Sequence, residues 1–228
     1  MTLFHTISWS QISLENTWKV GQNNASSGAY LKTAFAGMYS FKNFNINSQL
    51  QFDVVNPQER TFSGLLLRGS KDSLFQKFPI SFSAQYLFLP YSETLRESNI
   101  SFIANGYKKG FSYALGVNFR TYAYTRQAVE DYDLEQQRLH ENWTLIYKLG
   151  YTYSPHRYQW DVGLFLTNWD DFLINQDMNL FWRLKGQYYF NQKINLYAEA
   201  NYLKSGTFNS SSNYFGYYIK TGIIWHVN

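Results

Sequence analysis

The chain has 228 residues, enough for a single domain, with a formal charge of +4 and no cysteine. Without Cys there are no disulfides, thiolate metal sites or cysteine nucleophiles, and the basic residues are scattered singly rather than clustered as a nucleic-acid surface requires. Aromatic residues make up 20% against 16% charged, the mean hydropathy is −0.40, and no run of about 18 apolar residues exists, so a membrane-spanning helix is excluded.

Met1–Ser10 places small residues at Ser8 and Ser10, the spacing of a signal-peptidase site, but has no basic n-region. It reads as the tail of an export signal, with the mature chain starting at Gln11; a short periplasmic tail or an early strand is the alternative. The remainder, 11–228, reads as one domain. Alternation of apolar and polar residues predicts strands near 12–20, 29–41, 44–55, 60–70, 78–89, 95–105, 111–126, 143–153, 158–168, 178–190, 194–206 and 214–227. Each is about the length that crosses a bilayer at a tilt. The expected fold is therefore all-β: an antiparallel up-and-down transmembrane barrel of about twelve strands, within ten to fourteen.

The connections alternate in length. Tight links are Phe41–Phe44, Gly106–Gly110, Ser154–Arg157 and Asn191–Lys193, with Ser70–Lys77 the longer exception on that side. The opposite side has Gly21–Gly28, Pro90–Thr94, Ala128–Asn142, Asn168–Asp177 and Thr207–Asn213, with Asn56–Glu59 short. Short turns on one side and long loops on the other is the asymmetry of outer-membrane barrels, the short side being periplasmic. Phe41, Phe44, Tyr107, Phe111, Tyr151, Tyr153, Tyr158, Trp160, Tyr188 and Phe190 gather beside those turns. Such rings favour the membrane interface, where an apolar body and a polar tip are both satisfied.

Within strands the two parities differ. Leu31, Phe35, Ile46, Leu50, Leu115, Val117, Leu145, Leu149, Val162 and Leu164 share the face expected to meet lipid. Asn45, Asn47, Gln49, Gln51 and Asp53 share the other, and only a solvated lumen accommodates such a row. The strand at 60–70 has the weakest alternation, with Leu65, Leu66 and Leu67 in succession.

The last segment alternates longest. Phe215, Tyr217, Ile219, Thr221, Ile223, Trp225 and Val227 lie on one face, opposite Tyr214, Gly216, Tyr218, Lys220, Gly222 and His226. Lys220, Gly222, Trp225 and Val227 fill the polar, glycine, aromatic and hydrophobic slots of a pattern that resembles the C-terminal signal of Gram-negative outer-membrane β-barrels. The chain departs from it by ending on Asn228, past the hydrophobic slot. The resemblance implies recognition by the barrel assembly machinery and residence among the lipids of the outer membrane.

Lumen-parity charges collect Lys32, Arg68, Arg120, Arg126, Lys148, Arg183, Lys185 and Lys220 against Asp53, Glu97, Asp161 and Glu199. Tyr30, Tyr122, Tyr124, Tyr189, Tyr197 and Tyr218 stand beside them. An excess of bases in a narrow aqueous tube favours anions, because low-dielectric walls focus the field. Cross-pairing of these charges into a rigid, plugged lumen is the competing reading. In architecture and lumen chemistry the chain resembles the small monomeric porins that pass acidic oligosaccharides, which implies a passive channel for small anionic solutes or acidic sugars.

A second class is a lipid-modifying enzyme, since outer-membrane phospholipase A is also a twelve-strand barrel with a serine–histidine pair. Of the four histidines only His140 lies on the long-loop side, with no serine nearby in sequence, so no catalytic residue is assigned and the enzyme reading is the weaker. No cofactor or metal ligand set is expected. A third class is a non-conducting subunit of an envelope complex. The segments Ala128–Asn142 and Asn168–Leu173 are its candidate contacts, or else constrictions folded back into the barrel. The second of these carries Trp169, Phe172 and Leu173, apolar residues in a loop expected to be wet. The oligomeric state is left open.

Overall fold

The computed structural model describes residues 11–23, 29–55, 61–72, 80–90, 92–134, 138–156, 160–174, 181–204 and 215–227. The expected export segment 1–10 and the terminal Asn228 lie outside the described residues. The strands are β1 (Gln11–Asn23), β2 (Tyr30–Phe41), β3 (Phe44–Asp53), β4 (Phe62–Lys71), β5 (Ile80–Pro90), β6 (Leu95–Lys108), β7 (Phe111–Tyr124), β8 (Arg138–His156), β9 (Trp160–Thr167), β10 (Trp169–Asp170), β11 (Leu173–Ile174), β12 (Phe181–Tyr189), β13 (Ile194–Lys204) and β14 (Phe215–Val227). All but β10 and β11 form one closed barrel, each strand antiparallel to its neighbours in chain order, with β9 beside β12 and β1 sealing against β14. Closure leaves no unpaired sheet edge within the bilayer, which is why a barrel can cross lipid and an open sheet cannot.

The tight turns have the backbone their length demands. At Lys109–Gly110 both residues take positive φ, +50° and +88°, as a two-residue hairpin requires to match the strand twist. A Cβ at Gly110 would stand 2.8 Å from the Thr152 carbonyl oxygen, so the position admits only glycine.

Two expectations about the long side are corrected. The strand expected at 111–126 stops at Tyr124, because the Thr125 hydroxyl accepts a hydrogen bond from the Ala128 amide and caps a short helix, α1 (Arg126–Asp131). Arg126 is consequently not a lumen residue: its side chain is 88% exposed and pairs with Glu130 one helical turn on. The expected loop 128–142 is also shorter than it reads, since α1 takes its start and β8 begins at Arg138.

The outer face is an apolar belt. Phe35, Ile46, Ile100, Phe102, Leu115, Phe119, Leu149, Leu164, Leu184, Ile219 and Ile223 are all exposed. Phe41, Phe44, Tyr107, Phe111, Tyr151, Tyr153, Tyr188 and Phe190 are exposed beside the short turns, with the Phe111 and Tyr151 rings 4.8 Å apart. The side chains of Tyr158 and Trp160 lie outside the described residues. An arginine or lysine at the bilayer midplane costs about 2–4 kcal/mol, and the outward-parity Lys71, Lys108, Arg96 and Glu141 all sit near strand ends.

The inner face divides into two sectors. Across β4 to β8, Leu66, Leu87, Ile103, Ala114 and Ile146 form a buried apolar wall, with Leu89, Trp169 and Phe172 packed on it. The run Leu65–Leu67, which blurs the alternation of β4, has its reason here: Leu67 faces out, whereas Leu66 faces the lumen as part of this wall. The opposite sector, on β1, β2 and β12 to β14, is charged.

Candidate functional site

The site begins where β9 gives out. β8 is 19 residues long and β9 only 8, and the ladder between them reaches Lys148 opposite Thr167. Asn168, fully buried, continues that ladder by one step with its side chain. Its Nδ2 donates to the Leu145 carbonyl (2.7 Å) and its Oδ1 accepts from the Tyr147 amide (2.9 Å). Thr167 Oγ1 donates to the Tyr147 carbonyl and accepts from the Trp169 amide. With β8 satisfied, the chain turns away from the wall, and β10 and β11 form a hairpin (Trp169 opposite Ile174, Asp170 opposite Leu173) with Asp171 and Phe172 at its tip. This tongue lies inside the barrel.

Its sides match the two sectors. Trp169 and Phe172 pack on the apolar wall. A Cβ on Gly64 would stand 2.8 Å from the Phe172 ring, so the absence of a side chain on β4 makes the seat for that ring. Asp170 and Asp171 face the charged sector. Asp170 lies 3.0 Å from Arg183 Nη2, 3.5 Å from Lys19 Nζ and 3.9 Å from Lys220 Nζ, and accepts a 2.8 Å bond from the Tyr218 hydroxyl. Asp171 lies 3.1 Å from both Lys220 Nζ and Arg68 Nη2. Arg68 is itself oriented by Gln85 and stacks 5.4 Å from the Trp169 ring. The tongue thus ties β4 to β1, β12 and β14 across the lumen.

The wall it meets has an unusual row. Strand register sets Lys32 directly opposite Lys19, and Lys19 directly opposite Lys220. Like charges facing one another on adjacent strands destabilise a sheet, and Asp170 and Asp171 sit against two of the three. On the far side of Lys220 the row continues through Glu199 to Lys185, and Glu199 is shared between Lys185 (3.3 Å) and Arg183 (3.6 Å). Lys148 has no carboxylate within ion-pair distance among the described residues, and its ammonium lies 4.5 Å over the Phe165 ring.

The lumen residues expected from sequence therefore fall into groups. Lys32, Arg68, Arg183 and Lys220 surround the tongue, Lys185 is linked to it only through Glu199, and Lys148 stands apart. Arg120 faces inward but is 4% exposed and pairs with Glu97 at 2.9 Å. Asn99, Asn118 and Ser101 extend that pair into a sealed network on β6 and β7 that no solute can reach. Four participants were missed. Lys19 and Glu15 share the parity of Ser13 and Thr17, so the alternation of β1 could have found them; Asp170 and Asp171 sit in a loop with no period to read. Adding these acids brings the lumen from a two-to-one basic excess to near parity among the described residues. Of the assembly-signal residues, Lys220 and Gly222 face inward while Trp225 and Val227 are exposed outside. Gly222 lies under the Tyr197 ring, 2.5 Å from where a Cβ would be. Tyr197 in turn hydrogen-bonds Glu15 and Thr17.

No protein-family model matches the sequence, and no curated protein does. Solved structures do match in shape. The KdgM porin in complex with a disordered oligogalacturonate superposes with a TM-score of 0.57 at 11% identity, over 92% of this chain and 98% of that one. The NanC porin gives 0.57 at 12% over 92% and 98%, and an outer membrane channel from Pseudomonas putida F1 gives 0.53 at 9% over 96% of each. The fold is that of an outer-membrane porin. At these identities the likeness concerns architecture, and together with the lipid belt it places the chain in the outer membrane.

A serine–histidine pair exists, though not at His140, whose side chain lies outside the described residues. Ser13 Oγ is 2.8 Å from His226 Nδ1, and Asn195 Nδ2 is 3.0 Å from His226 Nε2. His226 thus bridges Ser13 and Asn195 through its two ring nitrogens. Ser13 and Asn195 are both buried. The trio stitches β1, β14 and β13 together near the short-turn rim.

Proposed function

We propose that the chain is a narrow passive channel for small solutes with a mild preference for anionic ones, acidic sugars included. The observation that carries this reading is the row Lys32–Lys19–Lys220 facing the lumen, with Lys148 unpaired beyond it among the described residues. Field lines in a low-dielectric tube concentrate on such groups. A small pocket beside the tongue brings Lys19, Lys32 and Lys220 together with Asp170 and Asp171. The similarity in fold to a porin described with oligogalacturonate, an acidic sugar polymer, agrees with it. Asp170 and Asp171 offset much of the basic charge, so the preference is mild rather than strong.

The test is single-channel conductance of the refolded chain, with the reversal potential under a salt gradient, for wild type and for Lys32→Glu with Lys148→Glu. The reading expects steady openings whose anion preference is lost or reversed in the double variant. Folded protein that never conducts would reject the channel. Conduction with the same selectivity in both proteins would remove these lysines from the pathway.

A further inference from the structure

We infer that the basic cluster around the tongue is a binding site for compact dicarboxylates, kept shut in this structure by Asp170 and Asp171 standing in for such a solute. The inference rests on the channel reading and specifies what that channel takes.

Three observations converge. First, the cluster is built from several strands to hold two carboxylates at once. Lys19, Arg183 and the Tyr218 hydroxyl meet Asp170, Arg68 meets Asp171, and Lys220 contacts both. Two carboxylates that share one ammonium lie close together, so the matching solute is short. Charge-assisted bonds from guanidinium and ammonium groups are the strongest recognition of a carboxylate available to a side chain. Secondly, the site cannot stand empty comfortably. Lys19 and Lys220 oppose one another directly, and without the tongue their repulsion has no offset from it, so the undocked barrel favours any dianion of the right span. Thirdly, the tongue is replaceable. Its ladder has two residue pairs, and a two-stranded hairpin is marginal by itself. Beyond its root at Asn168, its docking rests on Trp169, Phe172 and the same ion pairs that a solute would take over.

A dianion and the tongue therefore compete for one place. Apparent affinity in such a system is reduced by the fraction of protein whose site is open, and removing the competitor restores it.

The experiment uses the full chain folded in detergent micelles. Succinate is titrated at constant ionic strength with acetate as the monovalent control, following tryptophan emission. Trp169→Phe identifies the contribution from the tongue, and calorimetry gives affinity. The expected result is an emission change with succinate but not acetate that disappears in Trp169→Phe. Succinate should also bind about tenfold tighter, or more, to Asp170→Asn with Asp171→Asn. Equal responses to succinate and acetate would mean that only screening is at work and would overturn the inference. So would an unchanged or weaker affinity in the double variant. If that variant does not fold, Phe172→Ala loosens the tongue without altering charge, and the same tightening is required of it. Binding and conduction fail separately: displacement of the tongue in a protein silent in bilayers rejects the channel, and conduction without displacement rejects this site.

Discussion

Asn168 is the residue whose replacement most directly tests the account of the tongue. Asn168→Ala removes the donor to the Leu145 carbonyl and the acceptor for the Tyr147 amide. Both partners belong to a stretch of β8 beyond the end of β9, and the asparagine is fully buried, so water does not replace it without a local opening. A net loss of about 0.5–1.5 kcal/mol per hydrogen bond, with a further penalty for leaving buried backbone groups unmet, gives about 2–4 kcal/mol. Since Asn168 is the root of the tongue, the loss falls first on docking. At about 1.4 kcal/mol per tenfold, even the lower figure multiplies the undocked population about thirtyfold. The assay pairs urea unfolding in micelles, read by the gel mobility of folded against unfolded barrel, with single-channel recording. A lower urea midpoint and larger, noisier openings are expected. Asn168→Asp should be at least as damaging, because it keeps the acceptor but loses the donor and brings an unpaired charge. A midpoint within about 0.5 kcal/mol of wild type, with unaltered conductance, would refute the idea that this side chain turns the tongue inward.

Two further outcomes follow from neighbouring contacts. Phe172→Ala empties the seat over Gly64; a fully buried Phe→Ala change costs about 3–5 kcal/mol, and this half-buried ring should lose about half, raising mean conductance while urea unfolding of the barrel barely moves. Arg120→Ala strands Glu97 in the sealed network and should lower barrel stability by about 3–5 kcal/mol without changing ion selectivity in a bilayer; altered selectivity would mean that solutes do reach this pair.

Much of the fold was legible because lipid enforces it. Every strand had to present an apolar face without charge at mid-depth, and the alternation at Phe111–Phe119 or Tyr217–Val227 has no other use. The candidate site was legible only in its wall. Arg68, Arg183, Lys185 and Lys220 follow from parity, since each has an outward neighbour such as Leu67, Leu184 or Ile219 that settles its direction. Lys19 follows in the same way from Trp18 and Val20. Arg126 misled because Tyr122 and Tyr124 continue the period of β7 right up to a helix cap that depends on one hydroxyl. The segment 168–173 was legible as a candidate constriction, but the roles of Asp170 and Asp171 within it were not, for a deeper reason. Nothing local shows that a loop folds inward, because the cause lies in the unequal lengths of β8 and β9 and in a seat shaped by Gly64 on a distant strand. The visible trace was indirect: Trp169 and Phe172, apolar where water was expected.

The lysine row also orders events in time. Lys19 stands near the start of the chain and Lys220 near its end, and they face one another only because β1 has zipped onto β14. Until that seam forms, the pocket that receives Asp170 has Arg183, Tyr218 and Lys220 but lacks Lys19. The tongue can reach its apolar wall early but can complete its ion pairs only after the two ends of the chain have met. In a refolding experiment, burial of Trp169 and formation of the full set of tongue contacts should therefore separate, the second coinciding with the step at which the cylinder becomes continuous. A tongue with its full set of ion pairs is a record that closure has already happened.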